Sequence, residues 1–201
     1  SKLEPPCQQQ LVEIEAKVEA DPDNAELVGA LGTLYHAYGL LPDAAAAYSR
    51  AIELAPDEFA WHYLRGHVGR AIGQDKAAAD DFRAARELKP DYVPVTVFLA
   101  RSLMMLKDAR GAAELLQPLV DRGSKEPVIM HNLGLAYLEM GEPVYALEYL
   151  KPVWDANPNM GQVVRDVART FDALGQKEKA EEIRENAPDN DFSPTLSDPQ
   201  L

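Results

Sequence analysis

The chain has 201 residues, of which 46% are hydrophobic and 26% charged, as expected of a folded globular protein. Its 33 acidic residues outnumber 20 basic ones and give a formal net charge of -13, which argues against a nucleic-acid partner because the phosphate backbone would repel the chain. The single cysteine, Cys7, excludes an intrachain disulfide framework and a zinc site built from several thiolates.

Membrane and export signals are missing from the sequence as given. No stretch approaches the about 18 uninterrupted apolar residues that a membrane-spanning helix needs, so we expect no direct membrane insertion. A charged start followed by a short apolar run, which is typical of a signal peptide, is also missing. These observations leave the compartment open.

An internal repeat organises the chain. Small residues recur every 34 positions, and an alanine follows each of them after twelve residues. The small residues are Gly32, Gly66, Ala100, Gly134 and Ala168, and the alanines are Ala44, Ala78, Ala112, Ala146 and Ala180. The period predicts five units, which cover residues 25–58, 59–92, 93–126, 127–160 and 161–194.

The first predicted element is a leading helix over about residues 8–20. Leu11, Ile14 and Val18 form an apolar stripe along it, at the spacing of one helix face. When the chain is aligned by the 34-residue period, this helix takes the place of the second helix of a unit, and no first helix is predicted before it. We expect it to cover the first full unit, because the terminal unit of a repeat protein otherwise exposes its apolar face.

Each unit is predicted to hold two helices. In the fourth unit, Met130, Leu133 and Tyr137 lie on one face of a first helix that stops at Gly141, since glycine adopts the left-handed conformation without a clash. Gly39, Gly73 and Gly175 hold the same place in three other units, and Lys107 is the exception. A second helix follows and ends before Pro158.

Two prolines lie at equivalent places inside second helices. Pro118 and Pro152 are 34 residues apart, and each lacks an amide donor and crowds the preceding turn. We expect a kink at each. The kinks either tune the curvature of the repeat array or are tolerated on its outer face.

The C-terminal part divides into a cap and a tail. The helix of the last unit, with the sequence KEKAEEIRE, is polar nearly all round, and Arg184 stands where the other units carry an apolar residue. Such a helix suits a C-terminal cap. Residues 188–201 contain three prolines and few apolar residues, so we expect an extended or disordered tail.

These features resemble the tetratricopeptide repeat family, whose pattern runs W-x2-L-G-x2-Y, then A-x3-F, then P. The first unit supplies Val28, Leu31, Gly32, Tyr35, Ala44, Tyr48, Ala51 and Pro56. In the second unit, Arg65 and Gly69 replace the expected Leu and Tyr. The resemblance implies an all-α, right-handed α-solenoid of helix-turn-helix repeats.

The resemblance also implies a domain organisation and a cellular location. Residues 1–24 would form the leader and capping helix, residues 25–187 the repeat units with the last unit as cap, and residues 188–201 the tail. The phrases LYHAYGLLPDAAAAY and APDEFAWHYLRG are similar to bacterial members of the family, which are often exported. A periplasmic or otherwise exported location is therefore favoured over the cytoplasm.

In this family, ligands bind the concave surface, which is lined by fixed positions of the first helices. Transferred to this sequence, those positions give a candidate partner-binding strip. Its members are Tyr63, His67, Arg70, Val97, Arg101, Met104, Met105, His131, Leu135 and Leu138. Arginine pairs with carboxylates and methionine adapts to irregular shapes, so the strip suits a protein or peptide ligand with acidic and apolar residues. Alternatively, the apolar side chains simply cover one another.

No enzyme, metal or cofactor signature is found. The sequence shows no nucleophile with its base, no paired carboxylates and no phosphate-binding glycine loop. His62 and His67 are five residues apart and cannot share one metal ion on a regular helix. We therefore expect a non-catalytic chain without a cofactor.

Two classes of function remain. The first is a protein–protein interaction module or assembly scaffold that binds a partner segment in the concave groove. The second is the repeat region of a larger enzyme, such as a glycosyltransferase, with the catalytic domain absent from this chain. Self-association, with the tail of one molecule in the groove of another, is compatible with the first.

Overall fold

The computed structural model describes residues 5–199, and its side chains from residue 8 onwards. Over this range the chain forms eleven α-helices and no β-strand. The helices are α1 Pro5–Ala20, α2 Ala25–Ala37, α3 Leu41–Leu54, α4 Phe59–Ala71, α5 Asp75–Leu88, α6 Val93–Met105, α7 Ala109–Asp121, α8 Pro127–Glu139, α9 Pro143–Ala156, α10 Gly161–Ala173 and α11 Lys177–Glu185. The outermost residues of the predicted leader and tail, and the Cys7 thiol, lie outside the described part.

The helices divide between two compact units. The first unit runs to Val95 and holds α1 to α5, while the second begins at Thr96 and holds most of α6 and all of α7 to α11. Within each unit, helices that follow one another in the sequence pack together, for example α2 with α3 and α8 with α9. The predicted all-α repeat fold is confirmed.

The leading helix begins earlier than predicted. It starts at Pro5 rather than near residue 8, because prolines are accommodated in the first turn of a helix, where the amide hydrogen has no partner in the helix. It packs against α2. The hydroxyl of Tyr35 on α2 donates to the carboxylate of Glu15 on α1 at 2.7 Å, which ties the leading helix to the first repeat.

The periodic small residues allow close packing of the two helices of a pair. A Cβ atom added at Gly134 would lie 2.6 Å from Cγ of Leu150, and one at Gly32 would lie 2.8 Å from the Tyr48 ring. The five periodic alanines, from Ala44 to Ala180, are fully buried. Helix packing therefore explains why small residues recur every 34 positions in the chain. A larger residue at these positions would separate the helices.

The turns between paired helices use one backbone conformation. Gly39, Gly73, Gly141 and Gly175 have φ angles between +72° and +77°. Lys107 takes the same place in the third repeat with φ +65°, as a non-glycine residue in the left-handed region. The sequence predicted only that Lys107 is the exception to glycine here, and the structure shows that it adopts the same turn.

The two unusual prolines lie inside continuous helices. Pro118 is within α7 and Pro152 within α9, and both side chains are exposed. At the C-terminal end, α11 buries Ala180 and Ile183, while its other side chains are exposed. No helix in residues 5–199 combines the length and the apolar character needed to cross a membrane.

Candidate functional site

The candidate strip divides between the two units, and its first-unit part lies on α4. Tyr63 is fully buried and packs against Phe59, Phe82 and Tyr92, with ring centroids 5.2, 5.8 and 5.7 Å away. It therefore belongs to the core and cannot contact a partner directly. The imidazole of His67 is half-buried and lies edge-on to the Tyr63 ring at 4.6 Å.

Arg70 completes the first-unit part of the strip. Its side chain is half-buried at the end of α4. Burial lowers the pKa of its guanidinium from the ordinary value, and the nearby Asp75 carboxylate opposes this shift. The group keeps its charge in either case, because an arginine guanidinium is not deprotonated in proteins.

In the second unit, the strip residues differ widely in exposure. Val97 and His131 are buried, so they support the surface from below. Met105 is 63% exposed at the end of α6. The side chains between these extremes are half-buried, namely Arg101, Met104, Leu135 and Leu138. The surface that a partner can reach in this unit is therefore formed by these four residues and Met105.

Arg101 is held in position on α6. Its Nε donates to Oδ1 of Asn132 on α8 at 3.2 Å, and its guanidinium carbon lies 5.8 Å from the centre of the Phe98 ring. Asn132 in turn donates to the carbonyl of Val128 at 2.6 Å. These contacts fix the arginine so that less side-chain entropy is lost when it binds a carboxylate.

A buried histidine–aspartate pair joins α8 to α10. Nε2 of His131 lies 2.9 Å from Oδ2 of Asp166, and both side chains are buried. Nε2 of Gln162 donates to both carboxylate oxygens, at 3.2 and 3.1 Å. Arg169 approaches the same carboxylate at 3.3 Å and also pairs with Glu139 at 2.9 Å. The polar network reaches from the core to the surface of α10.

Asp166 was not among the predicted site residues, although the sequence carries a signal for it. The equivalent positions of the first three repeats hold Ala30, Leu64 and Phe98. The fourth repeat holds Asn132 there, so polar residues in the last two repeats at a position that is apolar in the first three indicate buried polar contacts. The structure supplies that contact through His131.

The tail of the chain lies against the first-helix face of α10. Arg165 donates to the carbonyl of Asn190 at 3.0 Å and pairs with the carboxylate of Asp191 at 2.5 Å. The amide of Gly161 donates to Oδ1 of Asn190 at 3.0 Å, and the amide of Gln162 donates to the carbonyl of Phe192 at 3.1 Å. The predicted tail is extended, and these contacts order it.

Gly161 allows the tail to approach this closely. A Cβ atom at position 161 would lie 2.1 Å from the Asn190 carbonyl oxygen and 2.9 Å from that of Pro188. The first amides of α10 carry the positive end of the helix dipole and need acceptors, which the tail provides. An acidic, extended segment therefore binds at the start of a first helix, through backbone bonds and one ion pair.

The described residues contain no group of three or more His, Cys, Asp or Glu side chains placed to hold a metal ion. His62 and His67 make separate contacts: Nε2 of His62 lies 2.8 Å from the carbonyl of Pro56, and His67 lies against Tyr63. The chemistry that this surface offers is the pairing of arginines with carboxylates beside apolar side chains.

A family model described as tetratricopeptide repeat matches residues 20–191. The solved structure of MamA protein is 17% identical, covers 80% of this chain and 88% of its own, and superposes with a TM-score of 0.72. YrrB, described as a TPR protein with an unusual peptide-binding site, is 21% identical, with coverages of 85% and 88% and a TM-score of 0.72. At these identities the likeness shows the fold alone.

Two further proteins are similar to this chain. A tetratricopeptide repeat protein from Parabacteroides merdae is 14% identical, with coverages of 89% and 71% and a TM-score of 0.76. DnaJ homolog subfamily C member 3 from Rattus norvegicus is 35% identical over 80 residues, which are 40% of this chain. The match spans only 16% of the rat protein.

Proposed function

Because the chain belongs to the tetratricopeptide repeat family, we propose that it is a non-catalytic protein–protein interaction module that binds a partner segment on its first-helix faces. The segment would be extended and carry acidic and apolar residues. In the second unit the binding residues would be Arg101, Met104, Met105, Leu135 and Leu138. In the first unit, His67 and Arg70 would form a separate part of the surface.

The observation that carries this proposal is the docked tail. It supplies an extended backbone, a carboxylate at Asp191 and an aromatic ring at Phe192, and α10 receives it through Arg165 and the amides of Gly161 and Gln162. A segment of the same chemistry from another protein could use the same groups. The peptide-binding site of YrrB, which shares the fold, supports a peptide ligand.

The charge distribution supports an acidic ligand. The protein as a whole carries -13, yet the first helices of the second unit carry Arg101, Arg165 and Arg169. Of these, Arg165 pairs with Asp191 of the tail, and Arg169 pairs with Asp166 and Glu139, so an acidic ligand would replace the tail at Arg165. Local positive charge on an acidic protein orients an approaching acidic segment towards these faces and repels it elsewhere. Arg101 is the most favourable anchor, because its position is already fixed by Asn132.

Self-association is the second form that this function could take. The Asp191 side chain is 96% exposed, so the ion pair that holds the tail is weak and exchanges readily. A tail released from its own α10 could bind α10 of another molecule at high concentration. Light scattering over a range of concentrations, with and without the Asp191→Lys substitution, tests this form.

Affinity capture from an extract of the source cells tests the main proposal. The wild-type chain is compared with Arg101→Glu plus Met105→Glu, and with the matched control Arg110→Glu on the second helix α7. We expect a protein that is retained by the wild type and the control and lost by the double variant, with helicity unchanged by circular dichroism. Equal capture by all three chains would place the binding surface elsewhere. Tyr63→Ala is unsuitable here, since it would damage the core.

A further inference from the structure

A cleft in the first unit lies on the side of the repeat where the first helix meets the preceding second helix. It has a volume of about 380 Å³ and is lined by α3, α4 and α5. The volume is within the range of pockets that bind ligands. The residues that line it include Ser49, Arg65, Gly69, Gln74, Asp80 and Asp81. None of them belongs to the first-helix strip described above.

The repeat itself shows what normally fills this place. Two other repeats have a tyrosine at the position of Gly69, at Tyr35 and Tyr137, and two have Leu103 and Phe171. The Tyr35 hydroxyl donates to Glu15 at 2.7 Å, and the Tyr137 hydroxyl donates to Gln117 at 2.9 Å. Each acceptor lies 20 residues before its tyrosine. A phenol ring therefore bridges the first helix and the preceding second helix in both repeats.

In the second repeat the phenol of this bridge is missing, and Arg65 on α4 instead donates to the Ser49 hydroxyl on α3 at 3.0 Å. Twenty residues before Gly69 is Ser49, so the acceptor position is occupied by a hydroxyl while the phenol is missing. Both residues line the cleft. In the first repeat, burial and the neighbouring Glu15 carboxylate raise the pKa of Tyr35 to about 12, so its hydroxyl stays protonated and donates. A phenol in the cleft would meet Ser49, whose hydroxyl donates to the Ala45 carbonyl at 2.8 Å, accepts from Arg65 at 3.0 Å and has a second lone pair to accept from the phenol.

The wall of the cleft is polar where the other repeats are apolar. Arg65 replaces the leucine found at Leu31, Leu99 and Leu133. It pairs bidentately with Asp81, at 2.9 Å from Nε and 2.6 Å from Nη2, and its Nη1 donates to the Ser49 hydroxyl at 3.0 Å. A largely buried ion pair of this kind adds little net stability compared with apolar packing.

The guanidinium also suits an aromatic ligand. Its planar face attracts an aromatic ring by a cation–π interaction, and the bidentate pair with Asp81 holds the plane in one orientation. The alternative is that water alone fills the cleft, which its polar lining permits. The two cases differ in whether an added phenol enters.

We propose that the Gly69 cleft binds a tyrosine side chain of a partner protein. The ring lies where Tyr35 and Tyr137 lie in their own repeats, and its hydroxyl bonds to Ser49. This contact is on a different surface from the first-helix strip, so it stands independently of the proposed function. It provides a second point of attachment for a partner.

The test is an NMR titration of the full-length, ¹⁵N-labelled chain with N-acetyl-tyrosinamide and with N-acetyl-phenylalaninamide. We expect the tyrosine probe to shift the amide signals of Ser49, Arg65 and Gly69, and to bind about five- to tenfold more tightly than the phenylalanine probe, as one hydrogen bond provides. No shift at these residues up to the solubility limit of the probe would overturn the proposal.

Two variants separate the contacts. Gly69→Tyr places the chain's own phenol in the cleft, and we expect it to remain folded and lose all binding of the probe. Ser49→Ala keeps the space and removes the acceptor, so the two probes should then bind equally. Binding of the probes that persists unchanged in both variants would contradict the assignment. Because the readout is probe binding to the folded chain, a change in the stability of either variant does not affect this conclusion.

A third probe distinguishes the source of the phenol. p-Cresol carries the same ring and hydroxyl without a peptide backbone. A short peptide with one central tyrosine should bind more tightly than p-cresol, because its backbone contacts the rim of the cleft. Tighter binding of p-cresol than of the peptide would assign the cleft to a free phenolic molecule and overturn the partner side chain.

Discussion

Arg165 on α10 pairs with Asp191 in the tail of the same chain, with 2.5 Å between the guanidinium nitrogen and the carboxylate oxygen. The Arg165 side chain is 37% exposed and that of Asp191 is 96% exposed. An ion pair in this setting contributes about 1 kcal/mol or less. The tail is therefore held mainly by its backbone hydrogen bonds and can be displaced by a better ligand.

The first prediction concerns this pair. Asp191→Lys should loosen the tail, and the added reversal Arg165→Glu should restore it in part, because the pair is then formed with the charges exchanged while the bond from Arg165 to the Asn190 carbonyl is lost. We expect amide hydrogen exchange of residues 161, 162 and 192 to rise by up to about fivefold in the single variant. Exchange that stays the same in the single variant would show that the pair does not hold the tail.

The second prediction concerns the buried pair of His131 and Asp166. Asp166→Ala removes the carboxylate and leaves the imidazole and the Gln162 amide without their partner in the core. We expect a loss of about 3 to 5 kcal/mol in the free energy of unfolding, measured by urea denaturation. The matched control is Glu139→Ala, which removes a partly exposed carboxylate from Arg169 and should cost less than about 1 kcal/mol. Similar losses in both variants would contradict a buried network.

The third prediction exchanges two residues at one register position. Lys107 has φ +65°, and Gly141, 34 residues later, has φ +77°. Lys107→Gly should raise the free energy of unfolding by about 0.5 to 1 kcal/mol, because relief of the left-handed strain exceeds the added entropy of the unfolded chain. Gly141→Lys should lower it by a similar amount. The account fails if the two substitutions shift the urea midpoint in the same direction.

The fourth prediction is a pH dependence at His36. Burial lowers the pKa of this imidazole from its ordinary value of 6.5. The unfolded chain therefore binds a proton at His36 at a higher pH than the folded chain does, and the free energy of unfolding decreases as the pH falls through 6.5. The decrease ends below the pKa of the folded state.

His36→Gln removes this contribution. We expect the variant to lose less stability than the wild type between about pH 7.5 and pH 5, measured by thermal unfolding at both values. Other groups titrate alike in the two chains, so the difference reports His36 alone. Equal losses in the two proteins would show that the folded and unfolded states bind the proton equally well.

Much of the fold follows from the period in the sequence. The positions of Gly134 and Ala146 predicted a helix pair, and the close approach of Gly134 to Leu150 shows why a small residue is required. Register marked Lys107 as the exception to glycine at this turn, and the structure shows that it keeps the left-handed conformation all the same. A repeat supplies several independent examples of each position, so exceptions to the pattern become visible.

The candidate site was harder to predict. Register placed Tyr63, Val97 and His131 on the partner-binding strip, but all three are buried. A register position fixes where the Cα lies on a helix, whereas the exposure of a side chain depends on its size and on its neighbours. Tyr63 is covered because Phe59, Phe82 and Tyr92 surround it.

The contacts of the tail could not be predicted either. They depend on hydrogen bonds from α10 amides to the backbone of residues 190 and 192, together with the space above Gly161. These contacts join positions 25 or more residues apart and have no counterpart in the repeat pattern. In contrast, the sequence carries a signal at the Gly69 cleft, since Arg65 and Gly69 both replace the residues that the repeat pattern has at these positions.

The central claim, that a partner binds the first-helix faces, is tested most directly by photo-crosslinking in the source cells. A photoreactive amino acid is placed at Met105 on the first helix α6 or at Val144 on the second helix α9, whose side chains are 63% and 67% exposed. The account predicts a crosslink to another protein from position 105 and none to that protein from position 144. A crosslink from position 144 alone would contradict it.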